Sequence, residues 1–115
     1  MSNLEAGSLY FEMSKYDASV ATFILVHMLG VQSVDALGDE HQKKRILPDT
    51  MALNQVMCFG LTEPNFGSDA TSLQTNATKV DGGYLINGQK RWIGNGTFAD
   101  HLCIWARNKS DGNKI

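Results

Sequence analysis

The chain has 115 residues, room for one small domain or for one piece of a larger one. Its 43% apolar content is that of a folded protein and excludes a disordered chain. Ten basic residues against twelve acidic ones give a net charge of −2, which argues against a nucleic acid or an anionic membrane as main partner.

Residues 1–14 hold Glu5 and Glu12 and neither Lys nor Arg, so no basic targeting region opens the chain. The most apolar run, Ala18 to Val31, is short for a membrane span and contains His27. From Asp17 to about Leu53 the periodicity is helical. Asp17 is the candidate N-cap, with Ser19 as the alternative. Val20, Phe23, Ile24, His27, Met28, Val31 and Val34 form an apolar stripe at three-to-four spacing. Leu25, Val26 and Leu29 extend it round the helix, which predicts burial between partners. Gly38 predicts the stop near Leu37. Asp39 and Glu40 open a second, charged helix through Lys43, Lys44 and Arg45, with acids leading and bases trailing as the helix dipole favours. Pro48 is expected to end it.

From Asn54 onward the pattern is β. Val56 to Leu61 reads as a short buried strand, and Thr62 to Thr71 as a loop. Gln74 to Val80, the turn Asp81-Gly82-Gly83 and Tyr84 to Ile86 predict a hairpin. Asn87-Gly88 predicts a second turn feeding a strand over Gln89 to Ile93. His101 to Ala106 reads as the last strand. The polar stretch Asn108 to Asn113 reads as a turn leading to an element cut short at Ile115. The expected architecture is α+β: the end of a helical domain over 1–53, then the first part of an antiparallel β-domain over 54–115.

Two segments carry candidate chemistry. The loop after the first strand offers the hydroxyls of Thr62 and Ser68, the carboxylate of Glu63, a rigid corner at Pro64, and Gly67. Such a loop can aim N–H groups and hydroxyls at an acceptor-rich ligand such as a flavin or a pyrophosphate. The alternative is a tight loop whose Thr62 and Ser68 bond their own backbone. The second segment, Asn87 to Gly96, sets Trp92 beside a Gly-rich turn, where an indole can lie along a planar cofactor or simply fill a core. Cys58 and Cys103 read as reduced cysteines, on neighbouring strands if the fold brings them together, and neither is marked as a nucleophile. His27, His41 and His101 show no metal-ligand spacing, so no metal is assigned. The acceptor triplets at Asn76, Asn95 and Asn108 read as chance matches.

Together, Phe59-Gly60-Leu61-Thr62-Glu63-Pro64-Asn65 with Gly67-Ser68-Asp69, and further on Trp92-Ile93-Gly94-Asn95, resemble the paired signature of the acyl-CoA dehydrogenase and acyl-CoA oxidase superfamily. The spelling from Asn87 to Asp100 most resembles the plant peroxisomal short-chain oxidases. The resemblance implies FAD as cofactor, held by Phe59, Gly60, Leu61, Thr62, Gly67, Ser68, Trp92, Ile93 and Gly94, with Ser68 also near an acyl-CoA substrate. It implies α,β-dehydrogenation of acyl-CoA to trans-2-enoyl-CoA in fatty-acid β-oxidation, a homo-oligomeric parent, and the peroxisome, with the mitochondrial matrix as alternative. No catalytic residue is expected in this chain, because the family's base is a Glu far downstream; Glu63 is expected to hold the loop. Phe66 and Gly94 depart from the commoner family residues, Phe66 standing where most members have a small one and Gly94 where many have Thr. The rival reading is a truncated, non-catalytic product that only associates with full-length subunits.

Overall fold

The computed structural model describes residues 2–115. Three helices, α1 (Asn3–Ser14), α2 (Ala18–Leu37) and α3 (Glu40–Met51), precede five strands: β1 (Met57–Gly60), β2 (Asn76–Val80), β3 (Gly83–Asn87), β4 (His101–Ile104) and β5 (Arg107–Asn108). A single 3₁₀ turn spans Ala70–Ser72.

α1 has no counterpart in the sequence reading. It lacks an apolar stripe, buries no residue, and leaves Leu4, Leu9 and Phe11 exposed. Its signal is a capping box: the Glu5 N–H donates to Ser2 Oγ, and the Glu5 carboxylate accepts from the Ser2 N–H at 2.6 Å. α2 starts and stops as the caps predict. Asp17 accepts from the N–H groups of Ser19 and Val20, and Gly38 follows Leu37. Its buried face is Ala21, His27, Gly30 and Val31; Val20, Leu25 and Leu29 remain exposed, so the helix is not covered on all sides here. By length and composition alone α2 could cross a membrane; in this fold it packs against α1, α3 and β1.

Pro48 does not end α3, which runs on to Met51. The proline removes one N–H, but its own carbonyl still accepts from Ala52 at 3.2 Å. The buried Thr50 hydroxyl closes the same turn onto the carbonyls of Ile46 and Leu47. Lys44 and Arg45 lie on an exposed face.

His27 joins the helices to the strands. Its Nε2 donates to the Thr50 carbonyl at 3.0 Å and its Nδ1 accepts from the Met57 N–H at 3.1 Å, which fixes the neutral tautomer with hydrogen on Nε2. Beside it, Gly30 lets α2 approach β1. A Cβ there would stand 2.8 Å from the Met57 Cβ and 3.2 Å from the Cys58 carbonyl.

The sheets are mixed. The hairpin β2–β3 is antiparallel and turns at Asp81-Gly82, with Gly82 at φ 78°. β1–β4 and β2–β5 pair in parallel. The β1–β4 register puts Phe59 opposite Cys103 and Cys58 opposite Leu102, so the two cysteines sit on neighbouring strands with both thiols free. Burial pushes both thiols up, away from thiolate chemistry.

The expected strand over Gln89 to Ile93 does not form. After Asn87 the backbone leaves the hairpin rather than turning back along it. Gly88 passes so close to Thr75 that a Cβ would lie 2.6 Å from the Thr75 Cα. The Arg91 N–H then goes to the Thr62 carbonyl instead of a strand partner. The strand expected over His101 to Ala106 also stops early, as β4 at Ile104, although Trp105 still donates its N–H to the Gly60 carbonyl at 3.1 Å, and β5 follows it.

Candidate functional site

The loop after β1 and the segment after β3 cross. The Arg91 N–H donates to the Thr62 carbonyl at 2.9 Å, and Lys90 Nζ donates to the Leu61 carbonyl and to Glu63 Oε1, each at 2.9 Å. The Lys90–Glu63 pair is buried, the two side chains being 9% and 5% exposed. Glu63 also accepts the Gln74 N–H at 2.7 Å and the Thr75 N–H at 2.8 Å. Burial pushes its carboxyl up. The Thr75 hydroxyl, which lies close without full hydrogen-bond geometry, opposes this together with the Gln74 N–H, the Lys90 ammonium and the Thr75 N–H. These donors win and hold the carboxyl at about 2. Glu63 is therefore a fixed anion that ties three stretches of backbone. It is not poised to take up a proton.

The expected site residues occupy different positions around this crossing. Phe59 is half-buried, its ring edge-on to Trp105 at 6.0 Å between centroids. Gly60 is buried, and a Cβ there would lie 2.6 Å from Ile104 Cδ1. Phe59 and Leu61 line an apolar cavity of about 380 Å³ with Leu73 and Trp105, and none of the other expected residues lines it. Thr62 is half-buried next to Arg91, while Gly67 and Ser68 are exposed at the loop's outer bend. The side-chain bonds of this loop are those of Glu63 to Gln74, Thr75 and Lys90, of Lys90 to the Leu61 carbonyl and of Thr71 to Asp69; the hydroxyls of Thr62 and Ser68 take no part in them. The self-bonded alternative for these hydroxyls is thus not what the loop adopts.

Trp92 is 80% exposed, with the Arg91 guanidinium 4.4 Å from its ring centre. It fills no core. Ile93 is half-buried and Gly94 is exposed, and a Cβ at Gly94 would stand 3.0 Å from Val26 Cγ2 of α2. The structure thus brings Thr62 and the Trp92 segment together through the backbone, and leaves Phe59 and Leu61 to a separate cavity. Phe66 closes a tight turn with Glu63 through reciprocal backbone bonds of 3.0 and 3.3 Å, and the residue is half-buried.

Three residues at the crossing escape a sequence reading. Lys90 finds Glu63 across 27 positions, without any local signal. Asn95 Nδ2 donates to the carbonyls of Phe23, in α2, and Met57, in β1. Arg107 donates to the carbonyls of Leu73 and Thr71 and so holds the far end of the loop. In each case the partner is a carbonyl or carboxylate distant in the chain, which spacing cannot reveal.

The donor set fits a flavin. Such a ring system needs N–H or O–H donors at its carbonyl edge and a flat apolar neighbour, and the crossing offers a free Thr62 hydroxyl and an exposed indole. Residues 58–115 match the family described as "Acyl-CoA dehydrogenase, middle domain", and residues 1–54 match "Acyl-CoA dehydrogenase, N-terminal domain". The chain belongs to the acyl-CoA dehydrogenase family.

Its similarity to an isobutyryl-CoA dehydrogenase, mitochondrial, from Dictyostelium discoideum is 32% identity over 96% of this chain and 27% of that protein. It superposes on a glutaryl-CoA dehydrogenase from Mycobacterium smegmatis with a TM-score of 0.88 and 34% identity, over 95% of this chain and 28% of that one. A Mycobacterium smegmatis glutaryl-CoA dehydrogenase in complex with FADH2 matches with a TM-score of 0.76 and 37% identity, over 81% and 24% of the two chains. The chain therefore spans about a quarter of the length of these relatives. FAD is the cofactor of the acyl-CoA dehydrogenase family, and all three relatives are dehydrogenases rather than oxidases.

Proposed function

We propose that this chain supplies the flavin-facing part of an FAD-dependent enzyme that dehydrogenates an acyl-CoA thioester between its α and β carbons to the trans-2-enoyl-CoA. The helical part, 1–53, and the β part, 54–115, act as the two domain pieces between which the site is built. Thr62 donates its hydroxyl to the flavin ring system, and Trp92, Ile93 and Gly94 pack along it. Phe59, Gly60, Leu61 and Gly67 shape the approach, and Ser68 stands where cofactor and substrate meet. Bound there, the flavin would accept the hydride that leaves the β carbon.

The observation that carries this reading is the crossing itself. The bond from the Arg91 N–H to the Thr62 carbonyl sets an unpartnered hydroxyl and an 80% exposed indole on adjacent backbone. Glu63 takes no part in removing the α-proton, because its carboxylate is fully engaged with donors of this chain.

The relatives favour dehydrogenase over oxidase chemistry, and the mitochondrial name of one of them favours the matrix. The oxidase and peroxisome reading rests on the spelling from Asn87 to Asp100 alone. A homo-oligomeric parent accords with the apolar side chains left exposed, Leu25 and Leu29 on α2 and Tyr84 to Ile86 on β3. The test is a visible spectrum of the purified chain after incubation with FAD and gel filtration. A flavin band that co-elutes with the chain, with quenched flavin emission, supports the proposal. Complete loss of FAD on the column, at protein concentrations of tens of micromolar (about 10⁻⁵ M, or −6.8 kcal/mol), contradicts it.

A further inference from the structure

Trp92 has a left-handed backbone, φ 61°, which a bulky side chain adopts only at a cost in free energy. It is also 80% exposed, and its one ring neighbour is the exposed Arg91 guanidinium at 4.4 Å, so no core packing around the indole holds it there. What holds it lies on either side. Before it, Lys90 is buried and donates to the Leu61 carbonyl and the Glu63 carboxylate. Between the two, the Arg91 N–H is taken by the Thr62 carbonyl. After it, Asn95, itself at φ 61°, spreads its amide between the carbonyls of Phe23 and Met57, at 3.1 and 3.2 Å. Strained backbone of this kind persists only where surrounding bonds over-determine it, and it concentrates at ligand clamps.

We propose that Lys90 and Asn95 are positioning residues: two anchors that stretch the segment between them and hold the Trp92 indole outward in one pose before any ligand arrives. This rests on the flavin-facing role proposed above for Trp92, and it adds how that role is prepared. Lys90 anchors the segment to the β1 loop and Asn95 anchors it to both α2 and β1. The pose of the indole is therefore set by the same seam that joins the helical and β parts. A ligand that uses the ring then finds it ordered and does not lose affinity to the freezing of a mobile segment.

The chain has two tryptophans, so Trp105→Phe leaves Trp92 as the single indole. The measurement is its fluorescence anisotropy and near-ultraviolet circular dichroism in the ligand-free full chain, followed by titration with FAD. Asn95→Gly keeps the left-handed backbone accessible while deleting both anchor bonds, which guards against misfolding. The double variant Glu63→Gln with Lys90→Met removes the other anchor without stranding a buried charge. In both, the indole's anisotropy and dichroic signal should fall while the chain stays folded, and FAD should bind about tenfold more weakly. Lys90→Arg, which can donate to the same two acceptors, should restore both signals. Anisotropy and dichroism that stay at wild-type values in both Asn95→Gly and the double variant would overturn the inference, leaving the anchors as ordinary fold contacts. A wild-type chain that takes up no FAD would count against the cofactor reading, while the ligand-free signals would still decide the anchors.

Discussion

Two seams join segments that are far apart in the sequence, and they do it with different chemistry. The seam between α2, α3 and β1 is held mainly by apolar fit: Ala21, Val31, Met57 and Cys58 are buried, and one neutral imidazole bridges the Thr50 carbonyl and the Met57 N–H. The crossing of the Thr62 loop with the Trp92 segment is closed by an ion pair, Lys90–Glu63, with three backbone groups bound to it. The first seam fixes shape through fit. The second fixes direction, because a carboxylate with three donors and an ammonium with two acceptors admit few other arrangements of the backbone they hold. That is what a segment presenting an exposed ring requires.

If the crossing depends on its ion pair, breaking the pair should have the largest effect. Lys90→Met strands the Glu63 carboxylate and should cost about 3–5 kcal/mol in a chemical-denaturation curve, with much of it recovered when Glu63→Gln is added. An equal loss in the single and double variants would mean that the charge pair is not what holds the crossing. At the apolar seam the decisive quantity is space. Gly30→Val presses a branched side chain against Met57 and the Cys58 carbonyl, and should cost about 1–3 kcal/mol by overpacking. Unchanged stability there would show that α2 can back away from β1.

Acid should separate the two seams through Glu63. Its carboxyl is held at about 2, below the ordinary 4.5, so the stability it contributes is complete above the ordinary value and is lost as pH falls from about 4.5 toward about 2. Glu63→Gln should flatten that part of the stability-against-pH curve, as read by thermal melts at a series of pH values. A variant with the same acid slope as the wild type would place the titrating group elsewhere.

The sequence makes some of this legible and hides the rest for physical reasons. Asp17 and Gly38 bracket α2 because caps act within a turn of themselves, and Asp81-Gly82 marks its hairpin for the same reason. α1 is invisible to periodicity, since nothing on it is buried. Pro48 misleads because a proline's carbonyl still serves the next turn while a buried Thr50 reinforces it. Asn87-Gly88 looks like a second hairpin turn, but the residues after it find better partners in Thr62 and Glu63 than in β3. For the site, Thr62 and Trp92 stand out by residue type, whereas Glu63 as a loop-holding carboxylate rests on the family resemblance. Lys90, Asn95 and Arg107 do not stand out, because their roles exist only once distant carbonyls arrive beside them.

The central question is whether the crossing binds flavin through Thr62 and Trp92. The direct measurement is the rise in melting temperature that FAD induces in the full chain, compared among wild type, Trp92→Ala and Thr62→Val. Each substitution should remove about 0.5–1.5 kcal/mol of FAD binding, the first as lost ring packing and the second as a lost hydrogen bond, so the FAD-induced shift shrinks while the ligand-free melt of Trp92→Ala stays near wild type. An FAD-induced shift that is the same in all three proteins would contradict the account, because it would put the flavin somewhere other than the crossing.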